Sequence, residues 1–153
     1  MPGETLHATA LLVARRGVLV TGPSGAGKSS LAARIIAHER EAGRFAALIS
    51  DDRTELVALS GRLIARAPRS LAGAIELHHL GIADAPAAPA GVIDLVVELV
   101  ERVDLPRMAE PMSLTLYGVT LPRIALPARD SAMARMLLAA VLPVANPYTL
   151  RCE

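Results

Sequence analysis

The sequence predicts an α/β fold with a mixed sheet, and two features carry that reading. The first is an opening unit of strand, glycine-rich loop, helix and strand: Gly17–Thr21, Gly22–Gly27, Lys28–Ala42 and Phe45–Ser50. The second is the string of short apolar segments that follows, separated by turn residues and relieved by only one further helical period near the end. A helix set between two buried strands, then many strands, is the pattern of an α/β domain whose sheet mixes strand directions. A length of 153 residues suits one core and not two, and neither a repeat nor a composition break divides the chain, so residues 1–153 read as a single domain.

Each element has a local reason. Leu6–Val13 is apolar and reads as a strand or strand pair, closed by the turn signal Arg15-Arg16-Gly17. Gly17–Thr21 is short, apolar and β-branched, as a buried strand is. Lys28–Ala42 carries an apolar stripe at Leu31, Ile35 and Ile36, a wet face at Glu39 and Glu41, and a stop at Gly43. Phe45–Ser50 is a second buried strand that runs into Asp51-Asp52, and Thr54–Arg66 reads as a β-hairpin around Ser60-Gly61. Ser70–Leu77 reads as a short helix or strand bearing Glu76, and His78–Gly81 as a turn. Ala83–Gly91, rich in proline and alanine, is the stretch expected to be flexible. Val92–Val103 is a strand with charges at Asp94, Glu98, Glu101 and Arg102. Ser113–Leu126 alternates but contains Pro122, so an edge strand or a broken pair is expected there. Ser131–Leu142 is a helix.

Composition removes several function classes. Lysine and arginine total 16 against 15 acidic residues, which gives no bulk argument for nucleic acid or an anionic membrane as partner. Phe45, Tyr117 and Tyr148 are the only aromatic residues, so platforms for stacking bases are lacking. Cys152 stands alone, which rules out a disulfide within the chain and a thiolate metal site. Glu4 and His7 interrupt the N-terminus before an apolar run forms, and no stretch reaches the roughly 18 apolar residues of a membrane span. The expectation is a cytoplasmic protein.

The strongest chemical signal is Gly22-Pro23-Ser24-Gly25-Ala26-Gly27-Lys28-Ser29, which matches G-x-x-x-x-G-K-[ST] at every position and stands between strand and helix as that motif requires. Glycines let successive N–H groups turn toward one anion, and the helix that follows adds the positive end of its dipole. Lys28 can reach the β- and γ-phosphates of a nucleoside triphosphate, and the Ser29 hydroxyl, with Ser30 beside it, can join the shell of a Mg²⁺ ion. ATPases, GTPases and nucleotide kinases share the loop, so other residues must select among them. Asp51-Asp52 ends the next buried strand, where open α/β sheets put their ligands. Two adjacent carboxylates on extended backbone face opposite ways, so one can serve a metal and the other an acceptor. The alternative is a solvated acidic turn paired with Arg53.

These residues together resemble the catalytic domain of the HPr kinase/phosphorylase family: Leu6-His7, the run Gly17–Ser29, and Leu48–Arg53. Ile75–Ile82 is similar to that family's signature after a glutamate, and Leu105-Pro106-Arg107 and Leu121–Pro127 are similar to its arginine loop and the strand that follows. The resemblance implies a fold like that of phosphoenolpyruvate carboxykinase, and transfer of phosphate from ATP to a serine of HPr, a small phosphocarrier protein, by a homo-oligomeric enzyme. It further implies that Asp51 takes the acceptor's proton, that His7 sits beside Asp51, that Asp52 and Glu76 support Mg²⁺, and that Arg107, or else the nearby Arg102, steadies the transferring phosphoryl group. A carboxylate suits the proton and a guanidinium suits the spread charge of that group.

The chain also departs from the family pattern. Ser30 stands where an acidic residue is usual, and His78-His79-Leu80-Gly81 replaces the Arg-Gly-Leu-Gly signature tied to the phosphorylase reaction, so a weak reverse reaction is expected. The adjacent histidines are not expected to chelate a metal together. On the resemblance, counterparts of the family's N-terminal regulatory domain and of much of its C-terminal helical region are not expected, a pattern that looks like the compact forms of some proteobacteria. Two other functions use the same loop: a kinase of a small metabolite, and a nucleotide-binding regulatory module without turnover. The near absence of aromatic residues speaks against the first, and Asp51 against the second.

Overall fold

The computed structural model describes residues 3–77, 80–108 and 112–142. Its strands are β1 (Glu4–Leu6), β2 (Thr9–Val13), β3 (Arg16–Thr21), β4 (Ala46–Ser50), β5 (Thr54–Leu59), β6 (Arg62–Arg66), β7 (Ala74–Leu77), β8 (Gly81–Asp84), β9 (Ala90–Val100), β10 (Met112–Leu116) and β11 (Val119–Pro127). The helices are α1 (Lys28–Glu41) and α2 (Ser131–Val141). His78, His79, Tyr148 and Cys152 lie outside the described residues.

The main sheet runs β1-β5-β6-β9-β3-β2-β4, with β11 joined to β9 and β10 to β11, while β7 and β8 form a separate pair. The long strand β9 organises it. Along one edge β9 is parallel to β3, from Val18↔Leu95 to Thr21↔Glu98. Its other edge pairs first antiparallel with β6 around Leu63↔Ile93, then parallel with β11 from Val96↔Arg123 to Val100↔Pro127. The mixed sheet expected from the sequence is therefore built on a strand buried on both faces, which is why its apolar run is nearly continuous.

Leu95, Val97 and Leu99 face one core with Leu31, Ile35 and Leu138 of the helices; Ile93 and Val96 face a second with Leu19, Leu63 and Leu121. Burying each such side chain contributes about 1.5–3 kcal/mol. The charged interruption, Glu98, is met by Arg123 one strand away. Gly17 is dictated by this packing: a Cβ there would lie 1.9 Å from the carbonyl oxygen of Val92, so only glycine lets β3 approach β9.

The boundaries differ from expectation in four places. The first turn falls at Ala14-Arg15, so that Arg16 already pairs with Val13. Ser70–Leu77 resolves into a 3-10 turn, Arg69–Leu71, and strand β7. Ser113–Leu126 is a hairpin whose second strand continues into the sheet; Tyr117 and Gly118 both take left-handed φ (49° and 79°), as a two-residue hairpin loop demands. The stretch Ala83–Gly91 is tied down: the Leu48 N–H donates to the Pro86 carbonyl (2.7 Å), the Ala88 N–H to the Leu48 carbonyl (2.8 Å), and the Ala85 N–H to the Gly73 carbonyl (2.9 Å). Proline lacks a donor but keeps its carbonyl, and that carbonyl is what the outer edge of β4 needs. Among the described residues no helix is long and apolar enough to cross a membrane.

Candidate active site

β3 delivers the chain to Gly22, and the loop turns at Gly22, Gly25 and Gly27 with φ of 148°, 78° and 94°. Gly22 is tight as well as left-handed, since a Cβ would sit 3.1 Å from the Leu99 carbonyl oxygen and 3.3 Å from the Ala26 Cβ. Gly27 caps α1 with no side-chain bond, and the first turn of α1 holds no acidic residue. The leading N–H groups of that helix are thus left for an anion. Lys28 is 6% exposed and curls across the loop, its Nζ donating to the carbonyls of Gly22 (2.9 Å) and Pro23 (3.1 Å). Burial holds its pKa below the ordinary value, while the charges of Asp52 and Asp51 work in the opposite direction.

The two adjacent carboxylates part company. Asp51 is 7% exposed at the end of β4. Its Oδ1 accepts from the Thr9 hydroxyl (2.9 Å) and the Ser29 hydroxyl (2.7 Å), and its Oδ2 from the Glu76 N–H (3.0 Å). It thereby ties β2, the start of α1 and β7 together. Asp52 takes a left-handed φ of 62°, a region aspartate tolerates better than most residues, and is turned outward with its side chain 59% exposed. The His7 Nδ1 lies 2.9 Å from Asp52 Oδ1, and the His7 Nε2 lies 3.5 Å from the Ser24 hydroxyl. The expectation that His7 sits beside Asp51 is corrected: a buried carboxylate already serving three donors has no room for it, and the histidine pairs with the exposed neighbour.

A cleft of about 570 Å³ brings together most of the expected residues: His7, Ser24, Gly25, Gly27, Lys28, Ser29, Ser30, Asp51, Asp52 and Glu76, with Arg129 and Ser131. Glu76 touches Asp51 through its backbone while its side chain is exposed. Arg107 does not line the cleft; it lies in an exposed segment beyond the 3-10 turn Arg102–Asp104. Arg102 is paired with Asp130. The arginine at the cleft is Arg129, which no motif marks. A signal did exist. Arg129 follows a strand parallel to β3 and β9, and ligands gather at the carboxyl ends of such strands; the parallel pairing of β11 was hidden by Pro122.

The Ser29 hydroxyl and Asp51 carboxylate form a hard-oxygen pair beside the phosphate loop, a donor set suited to Mg²⁺. Among the described residues no three histidine, cysteine, aspartate or glutamate side chains converge on one metal position. That fits an ion which draws its remaining ligands from phosphate and water.

Known proteins share this sequence pattern and fold. The family model of the HPr Serine kinase C-terminal domain matches residues 1–146. A HPr kinase/phosphorylase of Limosilactobacillus reuteri is 31% identical over 140 residues, covering 84% of this chain and 42% of the relative. One of Clostridium beijerinckii is 36% identical over 83 residues, covering 54% of this chain and 26% of the relative. The chain therefore spans less than half the length of these curated relatives. The Hpr(Ser) kinase/phosphatase of Coxiella burnetii superposes with a TM-score of 0.74 at 26% identity, covering 88% of this chain and 86% of that one.

Proposed function

The chain belongs to the HPr serine kinase C-terminal domain family, and from that premise we propose that it is an ATP-dependent kinase domain which phosphorylates a serine of HPr or a related phosphocarrier. The observation that carries the reading is the exposed Asp52, braced by His7 at the mouth of a cleft whose floor is the phosphate loop. The loop from Gly22 to Ser30 holds the triphosphate, and Lys28 neutralises the β- and γ-phosphates.

Asp52, rather than Asp51, is the proton acceptor. A carboxylate at the surface of the cleft can reach the hydroxyl of an incoming protein, which the buried Asp51 cannot. The serine oxygen bonds to the γ-phosphorus, the bond from that phosphorus to ADP breaks, and the serine proton passes to Asp52. His7 fixes the orientation of Asp52. Asp51 and Ser29 are the pair that would hold Mg²⁺, with Glu76 at the rim; the ion, when bound, supplies neutralisation of phosphate charge. The resemblance to phosphoenolpyruvate carboxykinase, a homo-oligomeric assembly and a cytoplasmic setting belong to the same proposal, as does a reverse reaction weaker than the forward one.

The test is incubation with labelled ATP, Mg²⁺ and purified phosphocarriers, followed by mapping of the labelled residue. Phosphoserine on the carrier is expected. Labelling of a small metabolite instead, or ATP binding without transfer to any carrier, would refute the assignment.

A further inference from the structure

The cleft has two ends. Ser24, His7 and Asp52 gather at one, linked by the contacts already described. Ser30, Arg129 and Ser131 stand at the other, where the first turn of α1 meets the start of α2 and the Arg34 Nε donates to the Ser131 hydroxyl (2.9 Å). Asp52 marks the acceptor's end. The part of the nucleotide that is not transferred must therefore lie toward Arg129.

The backbone around Arg129 is held from three sides. The Ala128 N–H donates to the Val100 carbonyl (2.8 Å) and the Arg129 N–H to the Ala26 carbonyl (2.8 Å), which fastens this segment to β9 and to the phosphate loop. Asp130 caps α2 by accepting from the Met133 N–H (3.0 Å) and pairs with Arg102. Between these anchors Arg129 keeps a left-handed φ of 55°, a conformation a non-glycine residue holds only where its surroundings over-determine it. The side chain is 55% exposed and its guanidinium is paired with Glu101. Among the described residues no aromatic side chain lines the cleft and Arg129 is the arginine that does, so this planar cation is placed to grip the nucleotide there.

We propose that Arg129 is a clamp for the α- and β-phosphates of the nucleotide, and that Glu101 competes with those phosphates for its guanidinium. An arginine fork suits two phosphate oxygens at once, which lysine does not. The proposal rests on the phosphate-loop reading but not on the identity of the acceptor. It assigns Arg129 a part in binding, separate from proton removal at Asp52.

ADP is the probe, because it carries both phosphates in question and lacks the transferred one. In calorimetric titration R129A is expected to bind ADP about tenfold to a hundredfold more weakly than the unaltered protein, the worth of one charge-assisted contact. R129K should fall between them. E101Q should bind ADP more tightly, and that gain should vanish in the R129A/E101Q double variant. With a carrier as acceptor, R129A should raise KM for ATP and leave kcat within about threefold. Matching melting curves check that the variants fold. ADP affinity within twofold in R129A overturns the clamp. So does a collapse of kcat with unchanged ADP binding, which would move Arg129 to the transferred phosphoryl group. Absence of transfer by the unaltered protein bears on the kinase reading alone, since the ADP titration needs no acceptor.

Discussion

Asn replacement at Asp51 and at Asp52 should produce opposite kinetic defects, although the residues are neighbours. At Asp51 the amide can keep its oxygen toward the Glu76 N–H and present its nitrogen to Thr9 and Ser29, whose hydroxyls accept as well as donate. Three charge-assisted bonds become neutral ones, a loss of about 1 kcal/mol each, but a neutral amide is cheaper to bury than a carboxylate, so the net cost to stability is about 1 kcal/mol. The larger effect is on Mg²⁺–ATP affinity, which should fall about 10- to 100-fold with the loss of the charge beside Ser29. At Asp52 the side chain is exposed and its only described partner is His7, so D52N should melt with the unaltered protein and bind Mg²⁺–ATP within a few-fold. Its kcat should drop about 10²- to 10⁴-fold, the usual contribution of a general base, or roughly 3–5 kcal/mol of barrier. Fluorescent-nucleotide titration and single-turnover transfer to the carrier separate the two. If D51N binds normally and fails in transfer while D52N loses binding, the roles assigned to the pair are reversed.

Three further substitutions probe other parts of the argument. K28A should abolish transfer and weaken ATP binding yet melt within a few degrees of the parent, because burial already disfavours the charge it removes; wild-type turnover by this variant would sink the loop assignment. G17A should destabilise by more than about 4 kcal/mol, since the new Cβ meets backbone of β9 that cannot step aside; a melting temperature within about 2 °C of the parent contradicts that packing. E39Q tests a charge pair whose carboxylate is buried, although the sequence placed Glu39 on the wet face of α1. Arg44 donates to Glu39 at 2.7 and 3.0 Å and holds its carboxyl below the ordinary 4.5, against the opposing effect of desolvation. A depressed acid stabilises the fold above its unfolded pKa and loses that contribution as pH falls through the folded value. The variant should therefore be about 1 kcal/mol less stable near pH 7, with the difference fading as pH falls below the ordinary 4.5; an equal gap at neutral and acid pH counts against the pair.

The opening unit was legible because every residue in it obeys a local rule. The loop motif, the stripe on α1 and the run of β4 each follow from spacing alone, and the structure realises them within a residue or two. The residues whose contacts are long-range were not legible in that way. That His7 pairs with Asp52 depends on the left-handed turn of Asp52, which nothing in the order Ser50-Asp51-Asp52-Arg53 announces. Arg129 is fixed by a parallel pairing between β9 and β11, and Pro122 argued against it because a proline reads as an edge. That proline pairs with Ser113 in β10, one residue before β11 joins β9, so the local rule holds while the strand as a whole still enters the sheet.

The proline-containing cover on β4 has a consequence for behaviour in concentrated solution. A sheet that ends in an open strand offers its unpaired amide and carbonyl groups as a template for another molecule, and chains add to it as they do in fibrils. Here Pro86 and Ala88 occupy the outer groups of Leu48 at the middle of β4. Anything approaching from outside meets a segment with prolines at 86 and 89, neither of which can donate. The stretch that looked like slack in the sequence is a stop against runaway self-association, and a chain this rich in alanine, leucine and valine has particular use for one.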